Sequence, residues 1–242
     1  PIEHFDTEDF PTKFAAQIED YDELDYFDRK EARRLDKVCQ YALIAADEAI
    51  EDTDLDLDDI NKDDVAVIVG TGIGGMITFY DQSISFHEHG PRGVSPFFIP
   101  MLIPDMVAGQ ISIKYGFKGP NFCAVSACAT GSHNIALAYD SIKQGQCDMA
   151  VSGGSEAPVS RIGVAGFNSM KAMSTRNDDP QSASRPFDKN RDGFVLGEGS
   201  AILFLEEYEH AKERGAQIYG EIAGYGLSAD AHHITAPDPD GE

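Results

Sequence analysis

Asn121-Phe122-Cys123-Ala124-Val125-Ser126-Ala127-Cys128-Ala129-Thr130-Gly131 changes its hydrophobic period half-way along. Through Ser126 it is a short run of apolar and small residues bounded by Gly119-Pro120, the pattern of a buried strand. From Cys128 to about Lys143 the apolar positions Ile135, Ala136, Ala138, Tyr139 and Ile142 recur at helical spacing, and Gly145 stands where a C-terminal cap belongs. Cys128 is therefore expected at the first turn of a helix. Unpaired backbone N–H groups and the positive end of the helix dipole favour a thiolate there, and Ala127, Ala129 and Gly131 leave room beside it. A nucleophile on a strand-to-helix turn is the device of a hydrolase elbow, with sulfur in place of a hydroxyl. The alternative is a buried, inert thiol, because free cysteine is among the most buried residue types.

The rest of the chain narrows that choice. Its 242 residues, 42% hydrophobic, suffice for one substantial core or a piece of a larger one. Cys39, Cys123, Cys128 and Cys147 are irregularly spaced with no CxxC, which fits neither a zinc ribbon nor a disulfide framework. No apolar run has the length of a membrane span and no signal-like segment opens the chain, so a cytoplasmic, reducing location is expected. The formal charge of −23 argues against nucleic acid, whose binders need a surplus of lysine and arginine.

Against that acidity one basic cluster stands out. Asp28 with Glu31 forms a capping box, and Leu35, Val38, Cys39, Ala42, Ala45, Ala46 and Ala49 form an apolar stripe, predicting one helix from Asp28 to about Glu51. On another face of that helix Lys30, Arg33, Arg34 and Lys37 fall at i, i+3, i+4 and i+7. They make either a solvated face balanced by Glu31 and Asp36 or a docking patch for an acidic partner.

Val65–Val69 is a predicted strand, and Gly70-Thr71-Gly72-Ile73-Gly74-Gly75 after it formally matches GxGxxG. A dinucleotide site also needs a second strand ending in an acidic residue about twenty positions on, and Ser85–Gly90 has no strand pattern. Close backbone packing is the better account of these glycines. Asp52, Asp54 and Asp56 alternate like calcium-loop ligands, but Leu57 occupies the place of the turning glycine. In Asp188–Gly193 the bidentate position falls on Gly199 with Glu198 one place early, so both segments are expected as connectors without metal. His87 and His89 lack a third ligand nearby. Further elements are predicted as a helix over Pro104–Tyr115, a strand over Asp148–Ser152 turning at Gly153–Glu156, a strand over Phe194–Glu206, a short helix to Arg214 and a long strand over Gln217–Leu227. Alternation of strand and helix implies a layered α/β fold.

Three runs carry a resemblance to a known family. They are Val125-Ser126-Ala127-Cys128-Ala129-Thr130-Gly131-Ser132-His133-Asn134, then Ser174-Thr175-Arg176-Asn177-Asp178-Asp179-Pro180, then Ala183-Ser184-Arg185-Pro186-Phe187-Asp188-Lys189 through Gly193-Phe194-Val195-Leu196-Gly197-Glu198-Gly199. In order and spacing they resemble the bacterial beta-ketoacyl-acyl carrier protein synthases of the synthase II type, and Asp230-Ala231-His232-His233-Ile234-Thr235-Ala236-Pro237 adds to the likeness.

The resemblance implies a thiolase-like α-β-α-β-α fold of two similar halves, a homodimer, and fatty acid elongation without a cofactor. Cys128 would take an acyl chain from a carrier-protein thioester, and malonyl-carrier protein would lose CO₂ and attack the acyl-cysteine. The backbone N–H of Cys128 would serve as one donor to the oxyanion. By position in the family pattern Ile73, Phe98, Ile99 and Phe167 would line the acyl pocket, with Phe98 reaching across the dimer. Acyl carrier proteins are acidic, so Lys30, Arg33 and Arg34, with Lys171, become the expected landing patch.

The family's two catalytic histidines, in an HGTGT-like segment and a GH-containing segment with a nearby lysine, belong to its C-terminal half. None of His4, His87, His89, His133, His210, His232 and His233 lies in such a context, and His133 is expected to be structural. Residues 1–242 are thus read as most of an N-terminal half, cut at both ends. Rival readings are a non-catalytic chain-length or dimerisation subunit of the same fold, a polyketide ketosynthase or thiolase, and a nucleotide-binding oxidoreductase using Gly70–Gly75. Cys128 speaks against the first, which replaces the nucleophile.

Overall fold

The strand β1 (Val65–Gly70) is buried along its whole length, flanked by strands at its edges and covered by helices on its two faces. A computed structural model describes residues 1–241; Glu242, at the end of the acidic Pro237–Glu242 segment, lies outside them. In chain order the elements are α1 (Arg29–Ala32), α2 (Lys37–Glu51), β1, α3 (Met76–His89), α4 (Phe98–Leu102), α5 (Met106–Tyr115), β2 (Asn121–Phe122), α6 (Thr130–Lys143), β3 (Met149–Glu156), α7 (Arg161–Ser169), β4 (Gly199–Glu206) and α8 (Tyr208–Glu213).

The sheet order is β2-β1-β3-β4. β1 pairs in parallel with β2 and β3, while β4 runs antiparallel to β3. Because side chains alternate across a strand, Val65, Val67 and Val69 pack with Val38, Ala42 and Ala46 of α2 and Val107, Ala108 and Ile111 of α5. Ala66 and Ile68 face the other way, onto Ala138 of α6 with Cys147 and Ala150. Helices therefore cover both faces of a mixed sheet, the α/β class expected from the alternation of elements.

Several boundaries differ from the sequence-based expectations. The helix expected over Asp28–Glu51 is broken: α1 ends at Ala32, and α2 begins at Lys37. The cause is tertiary. Asp36 is 3% exposed, and its carboxylate accepts from Val38 N (3.1 Å), Thr78 N (2.9 Å) and the Thr78 hydroxyl (2.7 Å). One buried side chain thus satisfies the first turns of both α2 and α3, whose N–H groups have no partner within their own helices. To do so Asp36 takes an extended backbone (φ −67°, ψ 154°), which no helix can pass through.

The strand expected over Asn121–Ser126 forms ladder bonds only at Asn121 and Phe122. The helix expected from Cys128 begins at Thr130, after a 3₁₀ turn over Ala127–Ala129. Gly145 (φ +68°) does follow its end, as predicted. Likewise the helix expected from Pro104 starts at Met106. No turn occurs at Gly153–Glu156, because β3 stays in ladder with β4 to its last residue. Phe194–Glu198 makes only isolated bridges, Met173 to Phe194 and Ala16 to Gly197, so β4 proper begins at Gly199. Gln217–Leu227 joins no ladder. It runs over the surface instead, with the Tyr219 hydroxyl donating to Asp52 (3.1 Å) and the Tyr225 hydroxyl to Asp140. Alternating apolar residues make a strand only where a neighbour supplies the ladder.

Candidate active site

Cys128 is exposed, in the 3₁₀ turn that joins the end of β2's segment to α6. Ala127 before it has φ +51°, a left-handed conformation that an L-residue adopts only when its surroundings impose it. Those surroundings are three side chains from the first turns of α6. Asn134, 0% exposed, accepts from Ala124 N (2.8 Å) and donates to Ala124 O (3.2 Å) and Thr130 O (2.9 Å). The Thr130 hydroxyl accepts from Ser126 N (2.9 Å), and Ser126 Oγ shares a 2.6 Å hydrogen bond with His133 Nδ1. No side chain caps α6 itself, since Ala129 holds the N-cap position. The partial positive charge of its first N–H groups is therefore left at the Cys128 turn.

The glycine loop lies against the same turn. A Cβ on Gly72 would stand 2.9 Å from Ala127 O and 2.9 Å from Glu156 Oε2, and one on Gly70 2.7 Å from Asn134 Nδ2. Only glycine permits both approaches. The loop's donors are already taken by Glu156 at the end of β3, which accepts from the Thr71 hydroxyl (2.7 Å) and Gly72 N (2.8 Å). Burial pushes the Glu156 carboxyl upward and nearby Asp36 adds to it, against the donation from Thr71, Gly72 and Ile73. The Glu156 carboxyl thus takes up loop donors, Thr71 Oγ1 and Gly72 N, of the kind a dinucleotide phosphate would need.

The other thiols have different surroundings. Burial, with Asp36 nearby, pushes Cys39 up to about 12. Burial also raises half-buried Cys123, next to which Asp105 contributes, and buried Cys147.

The four residues named for an acyl pocket are placed unequally. Ile73 is half-buried beside Gly72 and so beside the Cys128 turn. Phe98 and Ile99 open α4, whose end touches the same loop through Gly75 N donating to Leu102 O (3.0 Å); Ile99 is 56% exposed. Phe167 packs edge-on against Phe194 at 5.2 Å, within a second apolar cluster of Val159, Val164 and Met173.

The basic residues converge, though not at the helical spacing expected. Arg29, Lys30, Arg33 and Arg34 line a cleft of about 440 Å³ with Ser95, Pro96 and Phe97. The Arg34 guanidinium sits 4.6 Å from the centre of the Phe97 ring. Lys37, beyond the break at Asp36, is not among the lining residues, and neither is Lys171, which follows the C-cap of α7. Among the described residues none of the four cleft cations forms an ion pair, and Asp36, expected to balance them, is committed to the helix caps. Sequence reasoning missed Arg29 and Phe97, whose part in the cleft depends on the segment before α4 folding back over α1. It also missed the strap of Thr130 and Asn134, for which the only signal was their position two and six residues past Cys128.

Comparison with known proteins agrees with this architecture. Residues 3–211 match the family model described as Beta-ketoacyl synthase, N-terminal domain. The chain is 49% identical over 241 residues to 3-oxoacyl-[acyl-carrier-protein] synthase 2 of Staphylococcus aureus strain N315, covering 100% of this chain and 58% of that protein. Among solved structures it resembles a beta-ketoacyl synthase from Burkholderia phymatum STM815, with a TM-score of 0.86 and 36% identity over 96% of this chain and 57% of the other. It also resembles a chain of AntDE:AntF, a type II PKS acyl-carrier protein in complex with its ketosynthase, with a TM-score of 0.70 and 26% identity over 84% of this chain and 56% of the other. The chain thus spans just over half the length of these relatives. The α/β sheet with helices on both faces is the thiolase-like ketosynthase fold of these neighbours, and the chain belongs to the beta-ketoacyl synthase family, matching its N-terminal domain.

Proposed function

We propose that this chain is the acyl-accepting part of a 3-oxoacyl-acyl carrier protein synthase of fatty acid biosynthesis, with Cys128 as nucleophile. The carrying observation is an exposed thiol on a strained turn at the uncapped N-terminus of α6. The Cys128 thiolate attacks the carbonyl of an acyl-carrier thioester, and the backbone N–H of Cys128 and the first turn of α6 stabilise the oxyanion. When the oxyanion collapses, the C–S bond to the carrier breaks, the carrier thiolate leaves and takes up a proton, and the acyl group stays on Cys128. Decarboxylation of malonyl-carrier protein and condensation belong to the whole enzyme. By the family pattern they use two histidines found nowhere in residues 1–242. Ile73, Phe98, Ile99 and Phe167 are assigned to the acyl chain, which is supported for Ile73 by its place beside the Cys128 turn.

The partner is an acidic acyl carrier protein, docking at Lys30, Arg33 and Arg34 with Arg29 and Phe97; Lys171 contributes from outside the cleft. Unpaired cations grouped on a surface of charge −23 support this, and so does the carrier-protein complex among the structural relatives. A homodimer is inferred from the family likeness together with the exposed Phe122 and Val125 along the β2 edge, and sedimentation over a range of concentrations tests it.

The function is tested by incubating the chain with acyl-carrier protein and measuring its mass. A single acyl adduct on the Cys128 peptide, absent from Cys128→Ala and weakened in a salt-dependent way by Arg33→Glu with Arg34→Glu, is the expected result. Acylation that persists in Cys128→Ala refutes the nucleophile, and unchanged carrier affinity in the charge-reversed variant refutes the docking surface.

A further inference from the structure

We infer that Thr130, His133 and Asn134 are positioning residues that set the geometry of Cys128, an inference that rests on the proposed acyl transfer. β2 stops pairing at Phe122, and residues 123–126, which lead to the Cys128 turn, belong to no strand or helix. Beyond that point its backbone is held by side chains. The Asn134 amide meets both the N–H and the C=O of Ala124, doing for one residue what a neighbouring strand would do. Thr130 takes the next inward-facing N–H, that of Ser126, and His133 holds the Ser126 hydroxyl. All three belong to the helix that follows the turn, so the segment before Cys128 is strapped to the element after it.

A strap of this kind closes a short loop on itself and leaves Ala127 no route out of the left-handed region. It also fixes where the sulfur stands relative to the first N–H groups of α6. Asn134 fits only because Gly70 carries no side chain, and its amide oxygen and nitrogen are both hydrogen-bonded, the oxygen to Ala124 N and the nitrogen to Ala124 O and Thr130 O. Burial at 0% exposure keeps water from competing for these bonds. None of the three need touch the substrate. Their effect is to hold the nucleophile in line with the incoming carbonyl, where an error of about 1 Å costs on the order of a hundredfold in rate.

The test compares Thr130→Val, which keeps the shape and removes the acceptor, with Thr130→Ser, which restores it. Ser126→Ala, which removes only the bond to His133, serves as a milder second variant. Two rates are read on each folded chain: acyl transfer from acyl-carrier protein to Cys128, and iodoacetamide labelling of Cys128 relative to Cys123. Acyl transfer is expected to fall about a hundredfold in Thr130→Val, to fall less in Ser126→Ala, and to recover in Thr130→Ser. Transfer that is unchanged in Thr130→Val, or that Thr130→Ser fails to rescue, overturns the inference. If the wild-type chain accepts no acyl group, the proposed function has failed and the labelling ratio decides the strap. That ratio should drop about fivefold in Thr130→Val, from loss of the helix-end environment, and return in Thr130→Ser; an unchanged ratio overturns it.

Discussion

Replacing Asp36 with alanine is expected to destabilise the chain by about 4 kcal/mol. The figure is built from three hydrogen bonds that end on one carboxylate. Val38 N and Thr78 N lie in the first turns of α2 and α3, and losing a side-chain cap costs about 1 kcal/mol at each helix. The Thr78 hydroxyl donates to the same carboxylate, and a buried bond to a charged group contributes about 2 kcal/mol. Asp36→Asn keeps one acceptor oxygen and is expected to cost roughly half as much. Urea unfolding followed by far-UV circular dichroism measures both, and Asp36→Ala should lower the melting temperature by about 10 °C for a chain of this size. A double-mutant cycle with Thr78→Val isolates the hydroxyl bond and should return a coupling of about 1–2 kcal/mol. A loss below about 1 kcal/mol for Asp36→Ala would mean that the break between α1 and α2 does not depend on this carboxylate. A coupling near zero would show that the Thr78 hydroxyl bond contributes nothing to the Asp36 cap.

Two further outcomes can be checked directly. The Glu206 carboxyl, 8% exposed, is pushed up by burial but pulled down further by Arg214, at 2.7 Å through two bonds, and by His210 at 2.6 Å, so its folded pKa lies below the ordinary value. A depressed carboxyl pKa stabilises the fold above the unfolded value, and that contribution is lost as pH falls through the folded one. The urea midpoint should therefore drop on acidification below the normal carboxylate range, and Arg214→Ala should remove the part of that acid dependence due to Glu206 while costing about 2 kcal/mol at neutral pH. If the acid dependence is the same in Arg214→Ala, the ion pair is not its source. Timed iodoacetamide labelling at neutral pH, resolved by peptide, should modify Cys128 first and Cys123 later, with Cys39 and Cys147 last because burial protects both and raises their thiols. Equal rates at all four would remove the argument for an activated position at Cys128.

Hydrophobic period alone made β1, α2, α5, α6 and α8 legible, together with the α/β alternation, because their apolar faces repeat over enough residues to exceed local noise. The turn that carries Cys128 was legible too, from a change of period there and small residues around it. The cations of the cleft could be found by their charge against an acidic background, and Cys128 was singled out by the runs that resemble the synthases. What the sequence could not disclose was any feature in which a local preference loses to a distant partner. The stripe from Leu35 to Ala49 promises an unbroken helix, and only the position of Thr78 shows why Asp36 interrupts it. Ala124-Val125-Ser126 has the composition of a strand, yet Asn134 takes the backbone bonds of Ala124 and Thr130 that of Ser126, bonds that a ladder would have used. Gln217–Leu227 alternates as a strand should and has no neighbour to pair with among the described residues. Arg34 and Phe97 lie far apart in sequence, and their contact required the chain to return over α1. Periodicity belongs to the sequence because it depends only on neighbours along the chain. Caps, straps and clefts belong to the tertiary structure because each is a hydrogen bond or a contact whose second half is supplied from elsewhere.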